Sequence, residues 1–386
     1  MTPPAGQGPW RILHVYKDYP PVMGGIEGHL HMLAAAQAAR GHDVTVLVTA
    51  PTGPTRTTIE DGVRVIRARR LATLASTPIS PALWRALRRQ PAEVVHLHSP
   101  YPIGELAWLA GGRRPMVLTY HSDVVRQRLL GRIWSPWLRR VLRRADRILA
   151  TSPRYVDSSA FLSPLRSRVR VVPLGIDPAR FEALDREAAR ARYGAGPNLV
   201  FVGRLRYYKG LSTLIEALPW LPRARLLVAG TGPMGDAWRS LAERLGVDDR
   251  IDWLGDVSDA DLPTVYAAGD VFVLPAVARS EAFGIVLLEA MAAGLPCVST
   301  ELGTGTSWVN QEGVTGRVLP PNAPARLAKA LGELLADDAL RERMGRSARA
   351  RVASEFTAER LVERVLQVYA EVLDAQPGAL RPRGSG

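Results

Sequence analysis

Short β-branched runs alternate with helix-like segments along almost the whole chain, and the pattern occurs twice. In the first half, strand-like runs fall at 11–16 (RILHVY), 43–49, 63–68, 93–98, 115–120 and 147–152. After VVPLGIDP at 171–178 the alternation restarts, with runs at 198–203, 224–230, 250–255, 270–275 and 295–300. Helical periodicity fills the gaps, as at 26–40, 211–218 and 237–245, and closes the chain at 324–336, 338–350 and 357–374. Such alternation dictates parallel sheets covered by helices on both faces. The expected fold class is therefore α/β, with two doubly wound Rossmann-like domains facing a cleft. Residues 1–175 form the first domain and 176–360 the second. Residues 361–386 form a C-terminal helix, free to return to the first domain, and a disordered tail. Ligands of open α/β sheets bind beyond the carboxyl ends of the strands, so functional residues are sought there.

Composition narrows the class. The 386 residues exceed what a single core usually serves, and 47% hydrophobic with 23% charged residues is globular. No apolar run approaches the roughly 20 residues of a membrane span, and no secretory signal opens the chain. The single cysteine, Cys297, excludes an intrachain disulfide and fits a reducing compartment. A cytoplasmic location is expected. The net charge of +13 asks for an anionic partner: nucleic acid, acidic lipid or a phosphorylated metabolite. No nucleic-acid recognition module is visible, so nucleic acid is not expected.

Several loops suit phosphate. Gly24 and Gly25 separate the first strand from a helix, where backbone amides can approach an anion; a plain tight turn explains them equally well. FVGRLRYYKG (201–210) places Arg204 and Lys209 after a strand, a fork donor and an ammonium suited to a diphosphate, or else solvated loop charges. GTGPMG (230–235) matches a dinucleotide fingerprint but carries a proline and lacks the downstream acid, and reads as a turn.

SEAFGIVLLEAMAAGLPCVST (280–300) is the most pointed stretch. Gly284 should start a helix and Gly294 should follow its end. Amides near Phe283, Gly284 and Ile285 can then hold phosphate oxygens. Glu281 precedes that helix. Glu289 lies inside it among Ile285, Val286, Ala292 and Ala293, where a carboxylate needs a partner. Vicinal hydroxyls would serve, and so would a buried arginine.

The histidines crowd the first third. His96 and His98 share a strand face, but no cluster of cysteine or aspartate completes a metal site, and none is expected. His121 ends a strand on the cleft side, where it can touch a substrate. In Asp259-Ala-Asp261, Asp259 reads as a helix N-cap with Asp261 in the first turn, not as a metal site. The segment 126–147 holds eight arginines against one aspartate, with Arg132, Trp134, Trp137, Arg139 and Arg140 among its residues. Basic charge and interfacial tryptophan suit an anionic lipid surface, and a core-packing helix with a solvated arginine face fits the same pattern.

Together, PPVMGGIEGHLHMLAAAQAARGHDVTVLV, HSD, VVPLGID, FVGRLRYYKG and EAFGIVLLEAMAAGLPCV resemble the retaining family-4 glycosyltransferases with the GT-B fold. The most specific element is the E-x7-E from Glu281 to Glu289. The resemblance implies transfer of a hexose from a nucleotide sugar with retention, without a cofactor or metal. By match, Arg204 and Lys209 hold the donor diphosphate, helped by the amides of Phe283 to Ile285 and the Gly24–Gly25 loop. Glu289 takes the ribose hydroxyls, Glu281 contacts the transferred sugar, and His121 lies beside it. HSDVVRQRLL…RADRILATSPRYVDSS (121–159) and STELGTGTSWVNQEGVTGRVLPP (299–321) look most like bacterial mannosyl- and rhamnosyltransferases of polysaccharide biosynthesis. The expected donor is GDP-mannose and the acceptor a glycan or polyprenyl-diphosphate-linked saccharide, on the inner face of an anionic membrane. A UDP-sugar with a soluble acceptor, a nucleotide-sugar epimerase and a non-catalytic sensor are the alternatives.

Overall fold

The computed structural model describes residues 9–22, 24–74, 77–111, 114–123 and 128–376, the side chains of 128–133 excepted. The chain divides into two compact units. Unit 1 holds the chain to Thr151, Ser159–Pro173 and the chain from Ala358; unit 2 holds Ser152–Ser158 and Leu174–Thr357.

Unit 1 contains the strands β1 (Arg11–Val15), β2 (Asp43–Ala50), β3 (Arg56–Glu60), β4 (Val63–Arg69), β5 (Ala72–Leu74), β6 (Thr77–Ile79), β7 (Val94–Ser99), β8 (Met116–Tyr120), β9 (Arg147–Ala150) and β10 (Val169–Val171). Eight of them form one sheet in the order β10-β9-β8-β7-β1-β2-β4-β3, parallel throughout except at β3, with β5 and β6 as a separate hairpin. The helix Ala358–Asp374 belongs to this unit. Its buried stripe of Leu361, Val362, Val365, Val368, Tyr369 and Val372 packs toward the helix Gly25–Ala39.

Unit 2 contains β11 (Asn198–Val202), β12 (Arg225–Ala229), β13 (Ile251–Gly255), β14 (Val271–Leu274), β15 (Cys297–Thr300) and β16 (Gly316–Leu319), all parallel in the order β13-β12-β11-β14-β15-β16. Strand alternation sends its apolar side chains into two cores, one on each face. Val200, Val202, Phe272 and Leu274 join Leu287, Leu288 and Met291. Leu199, Phe201, Val271 and Val273 join Leu211, Leu214 and Leu331.

The expected strands lie where the β-branched runs placed them, within a residue or two at each end. Two local expectations are corrected. The segment Ser152–Ser158 belongs with unit 2, because Arg154 pairs with Glu301 at 2.6 Å and Arg279 donates to Ser158 Oγ at 3.0 Å. Asp261 stands at the start of the helix Leu262–Ala267, where Asp259 was expected, and its amide donates to Ser258 Oγ.

Candidate functional site

In unit 2 the strand order reverses between β11 and β14. Connections from β11 run outward through β12 to β13, and those from β14 run the other way. Loops leaving two such neighbours part company and leave a crevice at the switch point. The loop after β11 carries Arg204 and Lys209, and the loop after β14 carries Glu281 to Gly284.

These loops are tied together. The Val277 amide donates to the Tyr208 carbonyl at 2.8 Å. Gly210, at φ 66°, lets the backbone approach the Pro275 carbonyl so closely that a Cβ would overlap it. The Thr304 hydroxyl donates to the Glu281 carbonyl at 2.9 Å. On this frame Lys209 Nζ meets Glu281 Oε2 at 2.7 Å, each side chain about 10% exposed. Burial pulls the Lys209 ammonium down, but Glu281, Tyr208 and Glu289 together outweigh it, so the ammonium is held above its usual 10.5. Arg204 is exposed, and among the described residues no carboxylate pairs with it.

The helix Ile285–Ala292 starts from Gly284, whose φ of 81° suits glycine, and is followed by Gly294 at φ 80°. Its first amides have no acceptor within the helix. Phe283 is buried in the core, while Ile285 is half-buried. Glu289 is half-buried too, and its partner within the protein is Tyr266, whose hydroxyl donates to Oε2 at 2.6 Å. Among the described residues no arginine pairs with it. Burial raises the Glu289 carboxyl above the usual range, opposed by the Tyr266 bond and the charge of Arg180.

GTGPMG is a turn after β12. Its Gly232 lies against the Leu205 backbone, where a Cβ has no room. A steric requirement explains this glycine.

In unit 1, Gly24 and Gly25 open the helix Gly25–Ala39, and the buried Glu27 in its first turn lies against Gly24. A carboxylate is what that end of the helix dipole favours. Next to it five histidines, every one of them buried, form a cluster: His14 on β1, His96 and His98 on β7, His29 on the helix, and His121 after β8. His14 Nδ1 is 3.1 Å from His98 Nε2, and His98 Nδ1 is 3.0 Å from His121 Nε2. His14 Nε2 reaches Gln37 Oε1 at 2.7 Å, and His96 reaches Tyr369 and Thr119, each at 2.6 Å. Burial holds His14 down to about 4 and His29 to about 3, and pushes His96, His98 and His121 well below 6.5. All five are neutral at pH 7. The trios His14–His96–His98 and His29–His98–His121 each bring one nitrogen per residue within 4.8 Å of the others. His98, however, spends both nitrogens on neighbouring imidazoles, a hydrogen-bonded chain more than a metal cage.

The basic segment forms the helix Arg128–Arg144. Trp137 is 49% exposed, with Arg139 and Arg140 also exposed, while Leu138, Val141 and Leu142 are buried. Trp134 corrects the paired-tryptophan expectation: it is half-buried, with its indole toward the buried Glu105 carboxyl. The Arg132 side chain lies outside the described residues. No described helix is long and apolar enough to cross a membrane.

Sequence reasoning missed Tyr266, Gln37 and Tyr369. None carries a motif; only the packing of distant elements makes them partners.

Residues 185–351 match the family described as "Glycosyl transferases group 1", and residues 23–180 match "Glycosyltransferase Family 4". The chain is 34% identical to the O-antigen chain mannosyltransferase C of Escherichia coli over 378 residues, covering 95% of this chain and 100% of that one. It is 38% identical to the D-rhamnosyltransferase WbpZ of Pseudomonas aeruginosa, covering 90% and 92%. It is 31% identical to a GDP-mannose-dependent alpha-(1-6)-phosphatidylinositol monomannoside mannosyltransferase of Mycobacterium tuberculosis, covering 92% and 97%. In fold it resembles the sucrose-phosphate synthase of Thermosynechococcus elongatus, with a TM-score of 0.81 at 23% identity, covering 95% and 100%.

Proposed function

Because the chain belongs to the family-4 glycosyltransferases of GT-B fold, acting in polysaccharide or glycolipid biosynthesis, we propose that its donor is GDP-mannose and that it transfers mannose with retention. The observation that carries this reading is the buried Lys209–Glu281 pair at the switch point of unit 2, between the exposed Arg204 and the start of the helix Ile285–Ala292. Cations and free amides suit a diphosphate; carboxylates suit hydroxyls.

Lys209, Arg204 and the amides of Phe283 to Ile285 hold the diphosphate. They stabilise the charge that grows as the anomeric C–O bond breaks, so no metal is required. Glu281 positions the sugar while oriented by Lys209, and Glu289 binds the ribose hydroxyls while held by Tyr266. The acceptor oxygen bonds to the anomeric carbon on the face the phosphate leaves, and its proton passes to a phosphate oxygen.

The mannosyltransferase names of two relatives support the donor. The acceptor is a glycan or polyprenyl-diphosphate-linked saccharide, and the exposed Trp137, Arg139 and Arg140 support attachment to the anionic inner face of the membrane. A thermal-shift panel of GDP, UDP, ADP, dTDP and NAD, followed by turnover of the matching sugar nucleotide, tests the reading. Stabilisation by GDP with turnover of GDP-mannose is expected. Stabilisation by UDP alone removes the donor, and a response to NAD alone removes the reaction.

A further inference from the structure

The histidine chain in unit 1 ends on an amide. Imidazoles and hydroxyls can donate or accept at either end of a shared bond, but the two ends of the Gln37 amide are chemically distinct. Its Oε1 lies 2.7 Å from His14 Nε2, and its Nε2 lies 3.4 Å from the Tyr369 hydroxyl. With the amide in this orientation its oxygen can only accept, so His14 carries its proton on Nε2 and leaves Nδ1 as a lone pair. His98 must then donate from Nε2 to His14 and accept at Nδ1 from His121 Nε2. The other branch closes the same way. The amide nitrogen donates to Tyr369, which donates to His96 Nδ1, and His96 Nε2–H donates to Thr119. Every neutral ring in the two branches then carries one proton, with no bond lacking a donor or holding two.

We infer that Gln37 is a positioning residue that sets the tautomer of His121 through His14 and His98, so that His121 presents Nδ1 as a hydrogen-bond acceptor. Among the described residues Nδ1 has no hydrogen-bond partner. A lone pair there accepts from a sugar hydroxyl and repels a phosphate oxygen. The consequence for catalysis rests on the sugar contact that the family resemblance implies for His121; the tautomer itself does not.

The test is nitrogen NMR of the full chain labelled with 15N-histidine at pH 7, with His121 assigned by its loss in His121→Asn. The wild type is expected to show an unprotonated Nδ1 and a protonated Nε2 at His121, a reading that needs no variant of Gln37. In Gln37→Met, which keeps the volume and removes the amide, the two tautomers should mix, and kcat/KM for transfer should fall about tenfold, the loss of one hydrogen bond. A protonated Nδ1 in the wild type overturns the inference, as does a His121 tautomer indifferent to Gln37→Met in a folded variant. If the tautomer is as expected but His121→Asn turns over like the wild type, the relay stands and the sugar contact is withdrawn.

Discussion

The hydroxyl of Tyr266 donates to Glu289 at 2.6 Å and so holds a half-buried carboxylate that would otherwise have only solvent or ligand to satisfy it. Tyr266 follows the loop after β13, and Glu289 lies on the helix after β14. Burial already raises the Glu289 carboxyl, and the tyrosine bond opposes that rise. Tyr266→Phe should therefore raise it further. Donor affinity should then weaken at a higher pH on acidification, because a protonated carboxyl no longer accepts two hydroxyls. Titrating nucleotide binding between pH 7 and 5 checks this; superimposable profiles for variant and wild type would rule it out.

The Lys209–Glu281 pair predicts a coupled loss. Removing one partner of a buried pair leaves the other uncompensated and costs about 3 kcal/mol. Lys209→Met should lose about that much stability, and Lys209→Met/Glu281→Gln should recover part of it while remaining inactive. Urea unfolding of these two variants and of Glu281→Gln alone measures the coupling, which should be near zero if the two groups do not interact.

Burial in unit 1 sets an acid limit. His14 is neutral down to about pH 4 in the folded chain, while its unfolded counterpart takes a proton near 6.5. Below 6.5 the unfolded state binds the proton that the folded state refuses, so stability falls as pH drops through this window. A difference of that size is roughly 3 kcal/mol by pH 4 from His14 alone. Denaturation midpoints at pH 7, 5.5 and 4.5 should fall steadily, and a flat series would contradict the burial argument.

At the basic helix only Trp137 of the two tryptophans is available to a bilayer. Trp137→Ser with Arg139→Ser and Arg140→Ser should lower binding to anionic vesicles by at least thirtyfold, taking about 1 kcal/mol per arginine near the surface. Trp134→Phe should instead affect folding more than attachment. Vesicle sedimentation across anionic lipid content separates the two, and equal binding by the triple variant would leave this helix with a structural role only.

Much of the fold was legible because buried parallel strands read as apolar runs whatever lies around them, as at 198–203 and 270–275. The exposed β3 (RTTIE) and the short β16 (GRVL) carry no such run and escaped notice. In the site, the Glu281-to-Glu289 spacing is local and was readable. Its pairing with Lys209 depends on β11 lying beside β14, a fact of topology that no local pattern states. The same holds for Gln37 and Tyr369, which meet only because the last helix packs on the first.

The central claim is that unit 2 binds a nucleotide sugar with Glu289 on the ribose. Calorimetric titration of GDP-mannose into the wild type and Glu289→Ala tests it most directly. The account predicts one site per chain in the wild type and an affinity about thirtyfold weaker in the variant, the loss of about 2 kcal/mol of charge-assisted hydrogen bonding, with the melting temperature little changed. Equal affinity in the two proteins would contradict it.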